Sequence, residues 1–114
     1  MKKRVADSRR ISAMKREYRR LEADLIARYP DGITLPPEYA DIIQNSTLSL
    51  LIRLARYKFA ARMLSPNDHV LDVGCGTGLG TIFLGQCAQS VKGVDLHEGD
   101  IAWANRINRR PNVS

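Results

Sequence analysis

Apolar residues in the first third of this 114-residue chain recur at steps of three and four. That is the period of one face of a helix, so we predict a helix from about Ile11 to Ala27. Tyr29-Pro30-Asp31-Gly32 is a stop and turn signal after it, and Met1 to Arg10, which lacks the stripe, is expected to be frayed. The stripe consists of Ile11, Met14, Tyr18, Leu21 and Leu25.

Two more helices are predicted before residue 65. Pro36-Pro37-Glu38 opens the first, with Thr34 as its expected cap. From Leu48 to Leu64 the chain is apolar on most faces, and its polar breaks are Arg53, Arg56, Lys58 and Arg62. A helix of this kind is expected to be largely buried, or covered by a partner.

From residue 69 onward, short apolar runs alternate with helical segments. We predict strands over His69 to Val73 and Ser90 to Val94, and helices from Gly78 towards Cys87 and from about Glu98 to Asn108. Asn112-Val113-Ser114 is typical of the opening of a third strand. Alternation of this kind predicts an α/β fold with a parallel sheet.

Between the first strand and its helix, glycine occupies every second position, at Gly74, Gly76 and Gly78. Gly74 would supply the positive φ that a sharp strand-to-helix turn needs. At the other two glycines, the missing Cβ lets a ligand lie on the backbone and the helix pack close to the strand. The second strand ends before Asp95, which is placed to accept hydrogen bonds from a ribose diol. This pattern indicates a site for a nucleoside-bearing cofactor at the edge of the sheet.

The spacing of the glycines argues against two common phosphate-binding loops. The dinucleotide fingerprint G-x-G-x-x-G needs glycine where Leu79 or Thr81 stands, and a P-loop needs a lysine that is missing between Lys58 and Lys92. A loop with acids and no basic residue suits a cofactor that lacks phosphates and carries a ribose, an amino acid and a positive sulfur. An NAD-type Rossmann oxidoreductase is the less favoured alternative, and a glycine turn without a ligand is the purely structural one.

The segment His69 to Gly80 resembles the first motif of class I S-adenosylmethionine-dependent methyltransferases, and Gly93-Val94-Asp95-Leu96 resembles their second. This resemblance implies a Rossmann-like sheet, S-adenosyl-L-methionine as cofactor and methyl transfer as activity. It also implies that the glycine loop lies against the methionine part, that Asp72 helps to hold the amino group, and that Asp95 binds both ribose hydroxyls. Ala104 in the last helix fits the family's pattern as well. The expected cofactor-binding residues are Asp72, Gly74, Cys75, Gly76, Gly78 and Asp95; no metal ligand and no catalytic residue is assigned.

The predicted sheet is incomplete, because it has two strands and the start of a third where the family has seven. Parallel strands are stable only when both faces are covered. We therefore expect the chain to be the N-terminal fragment of a longer enzyme, or else to be completed by a partner chain, and we expect it not to be catalytically competent alone. In many methyltransferases N-terminal helices cover the cofactor, and by that resemblance four residues would approach the site: Ile42, Leu50, Leu54 and Tyr57.

Charge and composition bear on organisation and partners. We divide the chain into an N-terminal helical extension, residues 1–64, and a partial cofactor-binding domain, residues 65–114. Met1 to Pro30 hold ten Lys/Arg and four Asp/Glu, which accounts for the whole net charge of +6. Because the rest is neutral, a small-molecule acceptor is favoured. The alternative is an RNA-directed methyltransferase or a nucleic-acid-binding module that uses the basic helix.

The sequence also suggests a compartment. No signal-like start and no long apolar run is present, and the cysteines, Cys75 and Cys87, form no CxxC motif, so a cytoplasmic protein without a membrane segment is expected. The two histidines, His69 and His97, lack metal-ligand companions in the sequence and are interpreted as solvated or strand-end residues.

Overall fold

The computed structural model describes the backbone of residues 2–114 and the side chains of residues 7–114. In chain order it contains helices α1 (Lys2–Arg28), α2 (Pro37–Asn45) and α3 (Thr47–Met63), strand β1 (His69–Val73), helix α4 (Leu79–Leu84), strand β2 (Ser90–Val94) and helix α5 (Glu98–Ile107). The predicted α/β class with an incomplete Rossmann-like sheet is confirmed.

The chain separates into two compact units between Thr34 and Leu35, whereas the sequence placed the division after residue 64. The two divisions differ because α3 packs against both α2 and α4. One side of α3 carries Tyr57, Ala60 and Ala61, and these side chains lie against the buried core. Helices α2 and α3 therefore belong to the same unit as the sheet.

Helix α1 forms the first unit and begins at Lys2 rather than near Ile11. The expectation of fraying is thus wrong for residues 2–10; Met1 lies outside the described residues. The stretch before Ile11 contains Ala, Arg and Lys, which favour helices, and neither Gly nor Pro, so nothing in it stops the helix.

All five residues of the apolar stripe on α1 are 51–67% exposed. Among the described residues, no helix combines the length and hydropathy needed to cross a membrane.

Helix α2 begins at Pro37, whose fixed φ suits a first helical position. Pro36 occupies the N-cap position and no side chain caps the helix, so the expected capping by Thr34 is wrong. A proline at the start lacks one of the N–H groups that a cap would satisfy, which reduces the need for one.

None of the residues of helix α3, all of which the structure describes, is buried. The expectation that this helix is largely buried is therefore wrong. Its apolar residues surround the helix, but the small sheet covers one side only, and Leu51, Phe59 and Met63 are 64–72% exposed. Coverage of this face by a partner stays a prediction.

Strands β1 and β2 have the predicted bounds and pair in parallel, from His69 opposite Ser90 to Val73 opposite Val94. Val113 forms a parallel bridge with Val91, which confirms the start of a third strand beside β2. β-Branched residues such as these favour the pleated, half-buried backbone of a strand. The core of the unit is formed by Leu84, Ala88, Val91 and Val113.

Helix α4 is shorter than predicted and ends at Leu84 instead of continuing towards Cys87. After it, the N–H groups of Gln86 and Cys87 donate to carbonyls three residues back, which is turn geometry. Gly85 is the C-cap residue of the helix. A Cβ on this residue would overlap the side chain of Val113, so glycine here lets the start of the third strand approach.

Candidate cofactor-binding site

The glycine loop follows β1 at the carboxyl edge of the sheet. Gly74 has a φ of 76°, which confirms the predicted left-handed turn, and the N–H groups of Gly74 and Cys75 both donate to the carbonyl of Val94, at 2.8 and 3.0 Å. Gly76 and Gly78 also have positive φ, of 54° and 86°, which the sequence reasoning did not predict. The loop is therefore tied to the end of β2 in a conformation that other residues adopt only at a cost.

The glycines face different surroundings. A Cβ placed on Gly74 or Gly76 would meet nothing within 4 Å, so their backbone is bare. A Cβ on Gly78 would lie 2.7 Å from the Cβ of Ala104, so this glycine lets the start of α4 approach α5. The first two leave a surface on which a ligand can lie, whereas Gly78 serves helix packing and lines a small cavity of about 40 Å³.

Asp72, near the end of β1, is held by two hydroxyl groups. Its Oδ2 accepts hydrogen bonds from Thr81 Oγ1 at 2.7 Å and from the Tyr57 hydroxyl at 3.3 Å. Burial raises the pKa of Tyr57 to about 12, and the negative charge of Asp72 adds to the rise because it disfavours a phenolate. Within the part of the chain that the structure describes, Oδ1 of Asp72 accepts no hydrogen bond.

Asp95 directly follows β2, and its side chain is 11% exposed. Oδ1 accepts a hydrogen bond from the His97 N–H at 2.9 Å, and Oδ2 accepts one from the Gly76 N–H at 2.8 Å. These two bonds, in that order, lower the pKa of the Asp95 carboxyl, because they favour its charged form. Oδ2 has a second lone pair that a ligand hydroxyl can use, whereas Oδ1 also lies 3.2 Å from His97 Nδ1.

Two clefts adjoin the glycine loop and share Val73 and Gly74. The larger, of about 610 Å³, is lined by α3, by Asp72 and by the loop; the smaller, of about 410 Å³, is lined by Asp95 and His97. An extended ligand that crosses Gly74 would therefore meet Asp72 in the larger cleft and Asp95 in the smaller one. Of the residues expected to approach the site, Leu50, Leu54 and Tyr57 line the larger cleft, whereas Ile42 is buried elsewhere.

Cys75 also lines the larger cleft but is 7% exposed, and its thiol donates to the Gly76 carbonyl at 3.6 Å. Burial raises the pKa of the Cys75 thiol, and the charges of Asp72 and Asp95 raise it further. A raised pKa disfavours the reactive thiolate, so Cys75 is not suited to act as a nucleophile. Gly93 makes room for it, since a Cβ there would lie 2.9 Å from the sulfur.

The two histidines differ in their surroundings. His69 Nδ1 lies 2.6 Å from the Ser90 hydroxyl across the strand pair, as suits a strand-end residue. The His97 side chain is 81% exposed, which confirms its interpretation as a solvated residue, and its Nδ1 lies 3.2 Å from Asp95 Oδ1 with the side chain of Asp100 close to both. Asp95, His97 and Asp100 are neighbours in the sequence, and the turn from β2 into α5 brings their side chains together.

Sequence reasoning missed Thr81 and Thr77 and could not place Tyr57. Thr81 lies seven residues beyond Gly74, on a buried face of α4, and is 3% exposed. Thr77, in the loop itself, is 4% exposed, and its buried hydroxyl has no hydrogen-bond partner in the described part of the chain. A buried hydroxyl on an apolar helix face is the signal by which Thr81 could have been found.

Residues 71–114 match a family model that is described as a methyltransferase domain. These 44 residues, which include the glycine loop, are thus similar to part of a methyltransferase domain. The resemblance of the glycine loop to class I methyltransferases is thereby confirmed. A comparison with curated proteins gives no match.

Two solved structures are similar to part of the chain. One is a dimethyladenosine transferase from Plasmodium falciparum, with 28% sequence identity over 54% of this chain and 23% of that one, and a TM-score of 0.46. The other is a SAM-dependent methyltransferase from Anabaena variabilis, with 28% identity over 57% of this chain and 26% of that one, and a TM-score of 0.44. The chain thus spans about a quarter of the length of these two proteins.

Proposed function

We propose that this chain provides the S-adenosyl-L-methionine-binding part of a methyltransferase. The observation that carries the proposal is the pair of carboxylates, Asp72 and Asp95, placed in two clefts that share Gly74. The bare backbone of Gly74 and Gly76 is a cradle that a Cβ would begin to fill. Acids beside a loop with no basic residue suit a ligand that has an ammonium group and a ribose diol but no phosphate.

Asp72 and Asp95 would bind different parts of the cofactor. Asp72 would accept from the ammonium group through its unoccupied Oδ1, and Asp95 would accept from the ribose diol through the remaining lone pair of Oδ2. When bound, S-adenosylmethionine supplies a methyl group that its sulfonium makes electrophilic. What this chain contributes is orientation, since a ligand held at both ends presents its reactive centre in a fixed direction.

We further propose a small-molecule acceptor. Residues 35–114, the unit with the glycine loop, hold eight basic and seven acidic side chains, so this unit has little excess positive charge to attract a polyanion. The larger cleft, of about 610 Å³, has the size of a small-molecule site. Its lining includes Arg53, whose charge is matched by Glu38 at 2.5 Å, and Arg56.

A further part of the proposal is that more strands, from the same polypeptide or a partner, complete the sheet beside β1. Among the described strands β1 pairs with β2 only, so its other edge is free, and Leu71 and Val73 on it are 60% and 75% exposed. Strands in parallel sheets are normally covered on both faces and seldom left with an open edge. Hydrogen exchange of the β1 amides in the full-length protein tests this, because pairing with a further strand would protect amides that a free edge leaves open.

Isothermal titration calorimetry of the full-length protein with S-adenosylhomocysteine tests the cofactor assignment. We expect saturable one-to-one binding that Asp95→Ala weakens and that Glu98→Ala, an exposed acid at the start of α5, leaves unchanged. No heat of binding with S-adenosylhomocysteine, together with enhanced NADH fluorescence on mixing, would instead favour the oxidoreductase.

A further inference from the structure

The Asp72 carboxylate is bound asymmetrically. Both of its hydrogen bonds go to Oδ2, from Thr81 and from Tyr57, while Oδ1 accepts none in the described part of the chain. A carboxylate with two free oxygens can rotate and offer either one. Here the protein occupies one oxygen and leaves the other to face a ligand.

The two donors are themselves held in place by packing. Thr81 is 3% exposed, and its methyl group lies 3.1 Å from the position that a Cβ on Gly93 would take, so α4 and β2 enclose it. The Tyr57 ring lies directly against the backbone of Gly80, where any Cβ would overlap it. Neither hydroxyl can move far without repacking of its neighbours, and so neither can Asp72 Oδ2.

We infer that Tyr57 and Thr81 are positioning residues that fix the orientation of Asp72, so that its Oδ1 receives the ammonium group at the amino-acid end of the cofactor. The inference rests on the proposed function and goes beyond it, because neither residue belongs to the glycine motif. Groups that orient a ligand-binding carboxylate act on the ligand through the geometry they impose. Their effect should therefore be confined to ligands that carry the ammonium group.

Calorimetry on the full-length protein with two ligands separates this role from general support. S-adenosylhomocysteine carries the amino-acid group, whereas 5′-methylthioadenosine keeps the nucleoside and lacks it. We expect Thr81→Val to weaken S-adenosylhomocysteine binding about tenfold, which is the loss of one hydrogen bond to a charged group, with less than a twofold change for methylthioadenosine. Tyr57→Phe should act in the same direction by about threefold, because its bond is longer.

Conservative and distant variants provide the controls. Thr81→Ser keeps the hydroxyl and should bind S-adenosylhomocysteine within about twofold of the unaltered protein. Thr34→Val and Tyr29→Phe make the same chemical changes in the segment outside the site and should have no effect. In an Asp72→Ala background, Thr81→Val should cause no further loss, because the group on which it acts is absent.

Each outcome has one meaning. Equal losses for both ligands, or a persistent effect of Thr81→Val without Asp72, would overturn the positioning role while leaving the cofactor assignment intact. Failure of the unaltered protein to bind S-adenosylhomocysteine would overturn the proposed function itself. If Thr81→Val does not fold, as judged by circular dichroism, the Tyr57→Phe and Thr81→Ser comparisons decide the question.

Discussion

The main-chain N–H of Gly76 donates a hydrogen bond to Asp95 Oδ2 at 2.8 Å, across nineteen residues of sequence. The acid that follows β2 therefore fixes the glycine loop that follows β1. Because Oδ1 of the same carboxylate accepts from the His97 N–H, Asp95 joins both loops at the edge of the sheet. In our proposal, one side chain both shapes the cradle and binds the ribose.

Replacement of Asp95 should affect loop and ligand together. We expect Asp95→Ala to weaken binding of S-adenosylhomocysteine and methylthioadenosine alike, by about tenfold to a hundredfold, since both ligands carry the ribose. The Gly76 amide should also exchange faster with deuterium. Glu98→Ala is the control, and unchanged affinity of the Asp95 variant for either nucleoside would contradict the ribose assignment.

The ionisation of Asp95 should control the loop at low pH only. Since its folded-state pKa lies below the ordinary value of 3.8, the folded state binds fewer protons than the unfolded state, and this stability is present above that value. It is lost as the pH falls through the lower, folded-state pKa. We expect the Asp95 carboxyl carbon and the Gly76 amide to titrate together in NMR spectra, with a midpoint below 3.8. Separate midpoints for the two signals would contradict the coupling.

Tyr57 should make the protein sensitive to alkali. Burial, together with the charge of Asp72, raises its folded-state pKa to about 12 from 10.0, so the folded state retains a proton that the unfolded state releases. The contribution is fully present below pH 10 and declines as the pH rises towards 12. Urea unfolding across this interval should show a fall in stability that Tyr57→Phe reduces and Tyr29→Phe does not.

Alanine substitutions at Gly78 and Gly99 compare a tightly packed glycine of the loop with a glycine that has open space around it. Gly78→Ala forces an alanine to a φ of 86° and places its Cβ 2.7 Å from Ala104, so we expect a loss of about 2–4 kcal/mol in the free energy of unfolding. Gly99→Ala, in helix α5 with open space around it, should instead stabilise by up to about 1 kcal/mol. Urea unfolding of the two variants gives both values, and equal stabilities would contradict the packing role of Gly78.

RNA binding by the basic helix α1 distinguishes a small-molecule acceptor from a nucleic-acid acceptor. Because the rest of the chain has no net charge, we expect no electrophoretic retardation of RNA at about 150 mM salt. Any retardation at low salt should disappear steeply as the salt concentration rises. Retention that persists at about 150 mM and depends on RNA sequence would favour the nucleic-acid alternative.

The local part of the fold was predictable because local rules govern it. The bounds of β1 and β2 follow from short apolar β-branched runs, and the turn at Gly74 follows from the need for positive φ. The extent of α1 and the end of α4 were predicted less well. The first is decided by helix propensity beyond the apolar stripe, and the second by the approach of Val113 to Gly85.

The sequence by itself determined the α/β order, the glycine loop and the two acids at the ends of neighbouring strands, since each depends on residues close together in the chain. Only the tertiary structure decided that Tyr57 and Thr81 donate hydrogen bonds to the same oxygen of Asp72, that Gly78 leaves room for Ala104, and that α3 packs with the sheet unit. These contacts join residues from separate elements, and their geometry arises from side-chain packing, which no periodicity in the sequence encodes.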